Sequence, residues 1–136
     1  DLAIAIAEGL IESKKYAVPD YMLDGKYSPV DLGDNFVAAI TIPYADLALT
    51  NNGQLNTVAS KTDYSPAQLR KFEKVDDRNA YKLTSQLDNK CLDIEGAKTG
   101  NETNVMVWDD NGLNCQKFYF YSINNLYCIR PMHCTT

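Results

Sequence analysis

Residues 90–120 read KCLDIEGAKTGNETNVMVWDDNGLNCQKFYF, and this stretch decides the fold. Two short apolar runs, 92–94 and 104–108, are bounded by turn-forming residues: Gly96, Gly100 and Asn101, then Asp109-Asp110-Asn111-Gly112. Runs this short and this often broken are strands joined by hairpins, not helices. Three residues stand out from that pattern. Asp93 interrupts an apolar run, Trp108 ends the next run as the chain's only tryptophan, and Gln116 precedes the alternating aromatics Phe118 and Phe120. A lone strand-end tryptophan reads either as core or as a platform for a ligand, and a strand-end aspartate either as a partner for nearby amides or as an acceptor for ligand hydroxyls.

The alternation extends outward on both sides. Strands are expected at 36–41, 47–50, 54–59, 70–75, 81–85, 92–94, 104–108, 117–122 and 126–130, broken by Asn51-Asn52-Gly53, Ser65-Pro66, Asp88-Asn89 and Asp109-Asp110-Asn111-Gly112. The fold class is all-β. Ser65-Pro66-Ala67-Gln68-Leu69 suits one helical turn, with Ser65 as cap and Pro66 at the first position. A repeat underlies the strands. Val37-Ala38-Ala39-Ile40, Tyr81-Lys82-Leu83-Thr84 and Tyr127-Cys128-Ile129-Arg130 open units spaced 44 to 46 residues apart, and Gln68 and Gln116 lie 48 apart, with Phe72 and Phe120 four residues beyond each. Periods of this size mark repeat architectures. Two units are whole, about 36–78 and 79–123, and a third, 124–136, holds only its first strand.

Residues 1–35 are different. Leu2, Ile4, Ile6, Leu10 and Ile11 mix period-2 and helical spacing; the alanines with Glu8, Glu12, Lys14 and Lys15 tip the expectation toward a short amphipathic helix ending before Pro19. The turn-rich remainder reads as an arm packed on the main domain. A chain of 136 residues, 45% hydrophobic, needs only one core. Its net charge of −5 opposes the phosphate backbone, so nucleic acid is not an expected partner. The apolar run 2–7 is far short of the roughly 20 residues that span a bilayer, so no transmembrane segment is expected.

With these residues in hand, the chain resembles the ricin B-type lectins. The resemblance rests on Cys91-Leu92-Asp93-Ile94, the turn Gly100-Asn101-Glu102-Thr103-Asn104, the strand Val105-Met106-Val107-Trp108, and Gln116-Lys117-Phe118 in place of a Gln-x-Trp signature. It covers about 79–122 well, 36–75 weakly, and the first 35 residues not at all. The resemblance implies a β-trefoil, three repeats of four strands, here with an incomplete third repeat. It also implies a carbohydrate site in which Asp93 accepts sugar hydroxyls, Trp108 covers the sugar's apolar face, and Gln116 orients Asp93, with Asn111 and Asn114 as further polar groups. A pyranose offers both C–H patches and hydroxyls, which an aromatic face and a carboxylate suit. Met106 and Cys115 replace polar residues usual in the family's galactose binders. In the first repeat, Thr50 falls where Asp93 should be and Arg70 where Phe118 should be, so that repeat reads as structural.

The cysteines Cys91, Cys115, Cys128 and Cys134 form an even set without Cys-x-x-Cys spacing, which favours disulfides over zinc and so an oxidising, secreted setting. Cys91 with Cys115 would tie two strands of one repeat; Cys128 and Cys134 could pair across a turn or reach elsewhere. Asn101-Glu102-Thr103 is a glycosylation sequon. Catalysis is not expected, because His133 and Cys134 on an extended strand would point to opposite faces. No metal or cofactor is implied, since Asp109-Asp110-Asn111-Gly112 lacks the spacing and closing glutamate of a calcium loop. The expectation is a secreted lectin module for galactose or N-acetylgalactosamine glycans, in the manner of a toxin's cell-binding part. The other reading is a trefoil without sugar binding that serves in assembly. A barrel short of strands leaves open edges, so a complementing protein chain or an oligomer is also expected.

Overall fold

The computed structural model describes residues 28–75, 78–100, 103–123 and 126–134. Within them ten strands follow one another: β1 (Asn35–Ala39), β2 (Thr41–Ile42), β3 (Leu47–Asn51), β4 (Thr57–Lys61), β5 (Leu69–Lys74), β6 (Ala80–Ser85), β7 (Cys91–Ile94), β8 (Val105–Trp108), β9 (Phe118–Ile123) and β10 (Leu126–Pro131). All ladders are antiparallel. Five strands form an open barrel wall in the order β1-β5-β6-β9-β10, and two hairpins, β3 with β4 and β7 with β8, stand at one end of it. This is the nearly all-β, trefoil-like arrangement expected from the sequence.

Alternation explains the wall. Phe72 lies opposite Phe36 on one side and Leu83 on the other, Tyr81 lies opposite Phe118, and Phe120 opposite Ile129. Their side chains meet inside: Phe36 stacks on Phe72 at 4.8 Å between ring centres, and Tyr81 meets Phe120 edge-on at 5.9 Å. Burying each such ring stabilises the fold by about 1.5–3 kcal/mol, and the ring geometry adds about 0.5–1.5.

At the end opposite the hairpins, residues 28–34 lie across the barrel. The Val30 amide donates to the Phe120 carbonyl at 2.7 Å, the Tyr81 hydroxyl donates to the Gly33 carbonyl at 2.6 Å, and Lys74 Nζ reaches Asp31 at 2.7 Å. Lys74 holds the Asp31 carboxyl below its ordinary range. The expected N-terminal helix and the Asn101 sequon lie outside the described residues.

Two local expectations shift and a third, the single turn after Ser65, holds. The run at 36–41 splits into β1 and β2 at Ile40, whose carbonyl takes the Leu49 amide at 2.9 Å. The strand expected at 54–59 begins at Thr57 because Asn52 Oδ1 accepts the amides of Gln54 (2.7 Å) and Asn56 (3.1 Å) and folds those residues into a turn. Residues 65–69 make one turn through the Ser65 carbonyl, which takes the Gln68 amide at 2.8 Å.

The disulfide expectation is overturned: none of Cys91, Cys115, Cys128 and Cys134 is joined in a disulfide. Each faces a different neighbour. Cys91 lies 3.9 Å from Thr84 Oγ1, the Cys115 thiol is turned to Asp93, Cys128 is packed in the core, and Cys134 lies 3.6 Å from His133 Nε2. That last contact also corrects the geometry assumed for His133. Met132–Cys134 form a tight 3₁₀ turn, not a strand, and adjacent side chains can converge there. His133 Nε2 is also held 2.8 Å from the Lys98 carbonyl.

Among the described residues β1 and β10 each have one strand neighbour. Between their outer edges runs a seam over a cavity of about 510 Å³, lined by Phe36, Ala38, Ile40, Phe120, Tyr127 and Ile129 among others.

Candidate functional site

The site is built on the β7–β8 hairpin. In its ladder Asp93 lies opposite Met106 and Cys91 opposite Trp108. Directly opposed residues share a face, so these four side chains project to one side while Leu92, Ile94, Val105 and Val107 enter the core. Asp93 and Trp108 are diagonal neighbours, about 7–8 Å apart in such a ladder. Trp108 is 45% exposed, which removes it from the core and leaves an indole face open.

Asp93 is buried, 6% exposed, and held from below. Gln116 donates from Nε2 to Asp93 Oδ2 at 2.7 Å and to the Asp109 carbonyl at 2.8 Å, while its Oε1 accepts the Asn111 amide at 3.0 Å. One buried amide thus ties β7 to the whole 109–116 loop. The Cys115 thiol sits against the same carboxylate; burial first, then the bond to Asp93 and its negative charge, push that thiol up to about 11. Met106 lies opposite Asp93 across the ladder, and the Cys115 thiol bonds to it from the loop.

The loop is pinned at its outer side. Lys90 reaches Asp109 at 2.7 Å and Lys82 reaches Asp110 at 2.9 Å, and the hydrogen bond from Lys82 holds the Asp110 carboxyl below its usual range. In both pairs the lysine is half-buried and the carboxylate exposed, so each contributes little energy. Asn111 Oδ1 accepts the Leu113 amide at 2.9 Å, closing a turn in which Gly112 takes φ 70°, a conformation most side chains avoid. Asn111 is therefore partly committed to its own loop, whereas Asn114 is exposed at the loop's far end.

The first repeat carries the same frame with different side chains around its glutamine. Gln68 donates to Thr50 Oγ1 at 3.2 Å and the Lys61 carbonyl at 2.8 Å, and accepts the Asp63 amide at 2.9 Å. Thr50 stands in place of Asp93, and in the spacing of the two glutamines Ser60 stands in place of Trp108.

This arrangement of strands and glutamine-centred loops agrees with the match of residues 66–136 to the family described as ricin-type beta-trefoil lectin domain-like. The chain belongs to that family. No curated protein matches the sequence. Among solved structures, this trefoil is similar to the Polyporus squamosus lectin, whose structure is bound to the human-type influenza-binding epitope Neu5Aca2-6Galb1-4GlcNAc. There the TM-score is 0.63 at 17% identity, over 79% of this chain and 39% of that one. It is equally similar to ThreeFoil, a designed 3-fold symmetric protein, with TM-score 0.63 at 20% identity over 72% of this chain and 71% of that one. The trefoil thus spans well under half of the Polyporus lectin. Such likeness shows the fold. Among the described residues no helix is long and apolar enough to cross a membrane.

Sequence reasoning missed Lys82 and Lys90, which anchor the loop, and Asn56 and Asn104, which join the two hairpins. The asparagines could have been found by the same period that relates Gln68 to Gln116.

Proposed function

We propose that this trefoil is a carbohydrate-binding module that takes galactose-type glycans on the face shared by Asp93 and Trp108. The observation that carries the reading is the exposed indole of Trp108 beside a carboxylate fixed by Gln116. The sugar's apolar face lies on Trp108, and its hydroxyls reach Asp93 with Asn111 and Asn114 at the rim. Met106 and Cys115 offer the sugar no strong hydrogen bond, so affinity is low and rests on the indole. The galactose within the epitope bound by the Polyporus lectin supports the choice of sugar, and the family supports a binding role rather than catalysis. Secretion, and service as the cell-binding part of a toxin, rest on the family resemblance alone.

Titration of Trp108 fluorescence with galactose, N-acetylgalactosamine and lactose tests the reading, since the chain has one tryptophan. A saturable shift is expected, and Asp93→Ala should abolish retention on immobilised glycan while the protein stays folded. Unchanged retention would remove Asp93 from the site. A second reading, an assembly subunit without sugar binding, is favoured by the seam between β1 and β10, which could seat a complementing chain or a second copy. It predicts concentration-dependent association that free sugar does not disturb.

A further inference from the structure

The face shared by Asp93 and Trp108 has a second border, and it comes from the other repeat. β8 pairs with β7 along one edge, while its other edge meets the tip of the β3–β4 hairpin: Asn56 bridges to Met106, and the Leu55 carbonyl takes the Val107 amide at 3.3 Å. The order across the face is therefore Asp93 on β7, Trp108 on β8, then the tip. Hydrogen bonds within the chain set the tip's shape. Asn51 Oδ1 accepts the Gly53 amide at 2.9 Å, Asn52 Oδ1 accepts the amides of Gln54 and Asn56, and the Asn56 carbonyl takes the Asn52 amide at 2.9 Å. On this frame Gln54 is exposed and Leu55 is 38% exposed. Leu55 also holds φ at 68°, a left-handed conformation that bulky side chains avoid. The core gains little from a leucine there, and the backbone would accept glycine more readily. Leu87, itself exposed, backs the tip at Gly53, where an added Cβ would stand 3.9 Å from its Cδ2.

We propose that Gln54 and Leu55 form a second subsite, which makes the ligand a disaccharide or a longer glycan and not a single sugar. The inference rests on the sugar reading of Asp93 and Trp108. A pyranose lying on Trp108 with a pair of hydroxyls at Asp93 turns its opposite edge across β8 toward the tip. In galactose that edge carries the anomeric carbon, so the glucose of lactose, joined there, passes over residues 53–55. Leu55 covers its C–H face, and the Gln54 amide, which both donates and accepts, meets its hydroxyls. Because the tip is already hydrogen-bonded, little ordering cost offsets the added contact. One repeat thus supplies the galactose subsite and the other the next sugar's.

Trp108 fluorescence titrated with galactose and with lactose reads both subsites through the one tryptophan. The parent chain should bind lactose about fivefold more tightly than galactose, the scale of one part-buried leucine contact. Leu55→Gly suits φ 68° and should not lower Tm, yet it should bring the two affinities within about a factor of two. Gln54→Ala changes an exposed side chain, so the fold survives, and it should cut the preference for lactose by about half. Loss of the preference in one variant alone supports the subsite and assigns it to that side chain. Equal affinities in the parent, a preference kept in both variants, or a loss that falls alike on galactose and lactose overturns the inference and leaves Asp93 and Trp108 in place. A folded parent that answers to neither sugar overturns the sugar reading itself, and the subsite with it.

Discussion

Asn104 donates from Nδ2 to Asn56 Oδ1 at 3.0 Å, and the two residues stand 48 apart in the chain. Each lies just before the second strand of its hairpin, so they are the same position in successive repeats, meeting where the hairpins converge. Thr57 reinforces the junction by donating to the Val105 carbonyl at 2.7 Å. Asn56→Ala and Asn104→Ala should each lower stability by about 1 kcal/mol. Because each removes the same bond, the double variant should cost clearly less than the sum, by about 0.5–1 kcal/mol. Urea unfolding of the four proteins measures this; additive losses would mean that the bond carries no energy.

Gln116 holds three groups at once, and Ala there leaves Asp93 Oδ2, the Asp109 carbonyl and the Asn111 amide without it. Gln116→Ala should cost about 3 kcal/mol, the range for leaving buried polar groups unmet. Gln68→Ala should cost a similar amount, since its bonds match. The two should part in sugar titration. Only the Gln116 variant should lose the Trp108 response, and a lost response in both would point to general loosening.

The sequence was legible where one physical rule acted alone. Period-two alternation around Phe72, Tyr81, Phe118 and Phe120 revealed the barrel strands, because each has one face in the core. The glutamine spacing revealed the repeat, because Gln68 and Gln116 solve the same hydrogen-bonding problem. Reading failed where side chains override the pattern. Asn52 captures two amides and delays β4, and nothing in the apolar pattern shows that in advance. Cysteine counting failed because it ignores direction: Cys91 and Cys115 lie in one repeat yet face Thr84 and Asp93. The strand assumed for His133 and Cys134 failed because Met132 ends the alternation of β10 in a tight turn.

Thiol chemistry follows from burial. Burial pushes the Cys128 thiol up to about 12 and Cys115 up to about 11, and it raises Cys91 as well. Thiolate is the reactive form, so at pH 8 these three are both covered and protonated. Cys134 is partly exposed. One thiol per chain should react with an aromatic disulfide reagent at pH 8 in the folded protein, and four after denaturation. Three or more reacting quickly in the native state would contradict the buried positions.

Arg70 is among the largest wholly buried side chains of the described residues and stands where the second repeat has Phe118. Its Nη1 donates to the Leu49 carbonyl at 2.9 Å, while Nε and Nη2 find no acceptor among the described residues. Burial lowers its pKa to about 10, against a smaller opposing pull from Asp88. A base whose folded pKa lies below its unfolded one is destabilising while charged. The cost is complete at neutral pH and fades as pH rises from about 10 toward the ordinary arginine value, since the unfolded chain then holds the extra proton. Arg70→Met, of similar length and apolar, should therefore raise stability at pH 7 by about 1 kcal/mol, as replacement of buried ions often does. The gain should shrink above pH 10. Chemical unfolding at pH 7 and pH 10.5 measures both; a variant less stable than the parent at pH 7 would show that the bond to Leu49 outweighs the burial of the charge.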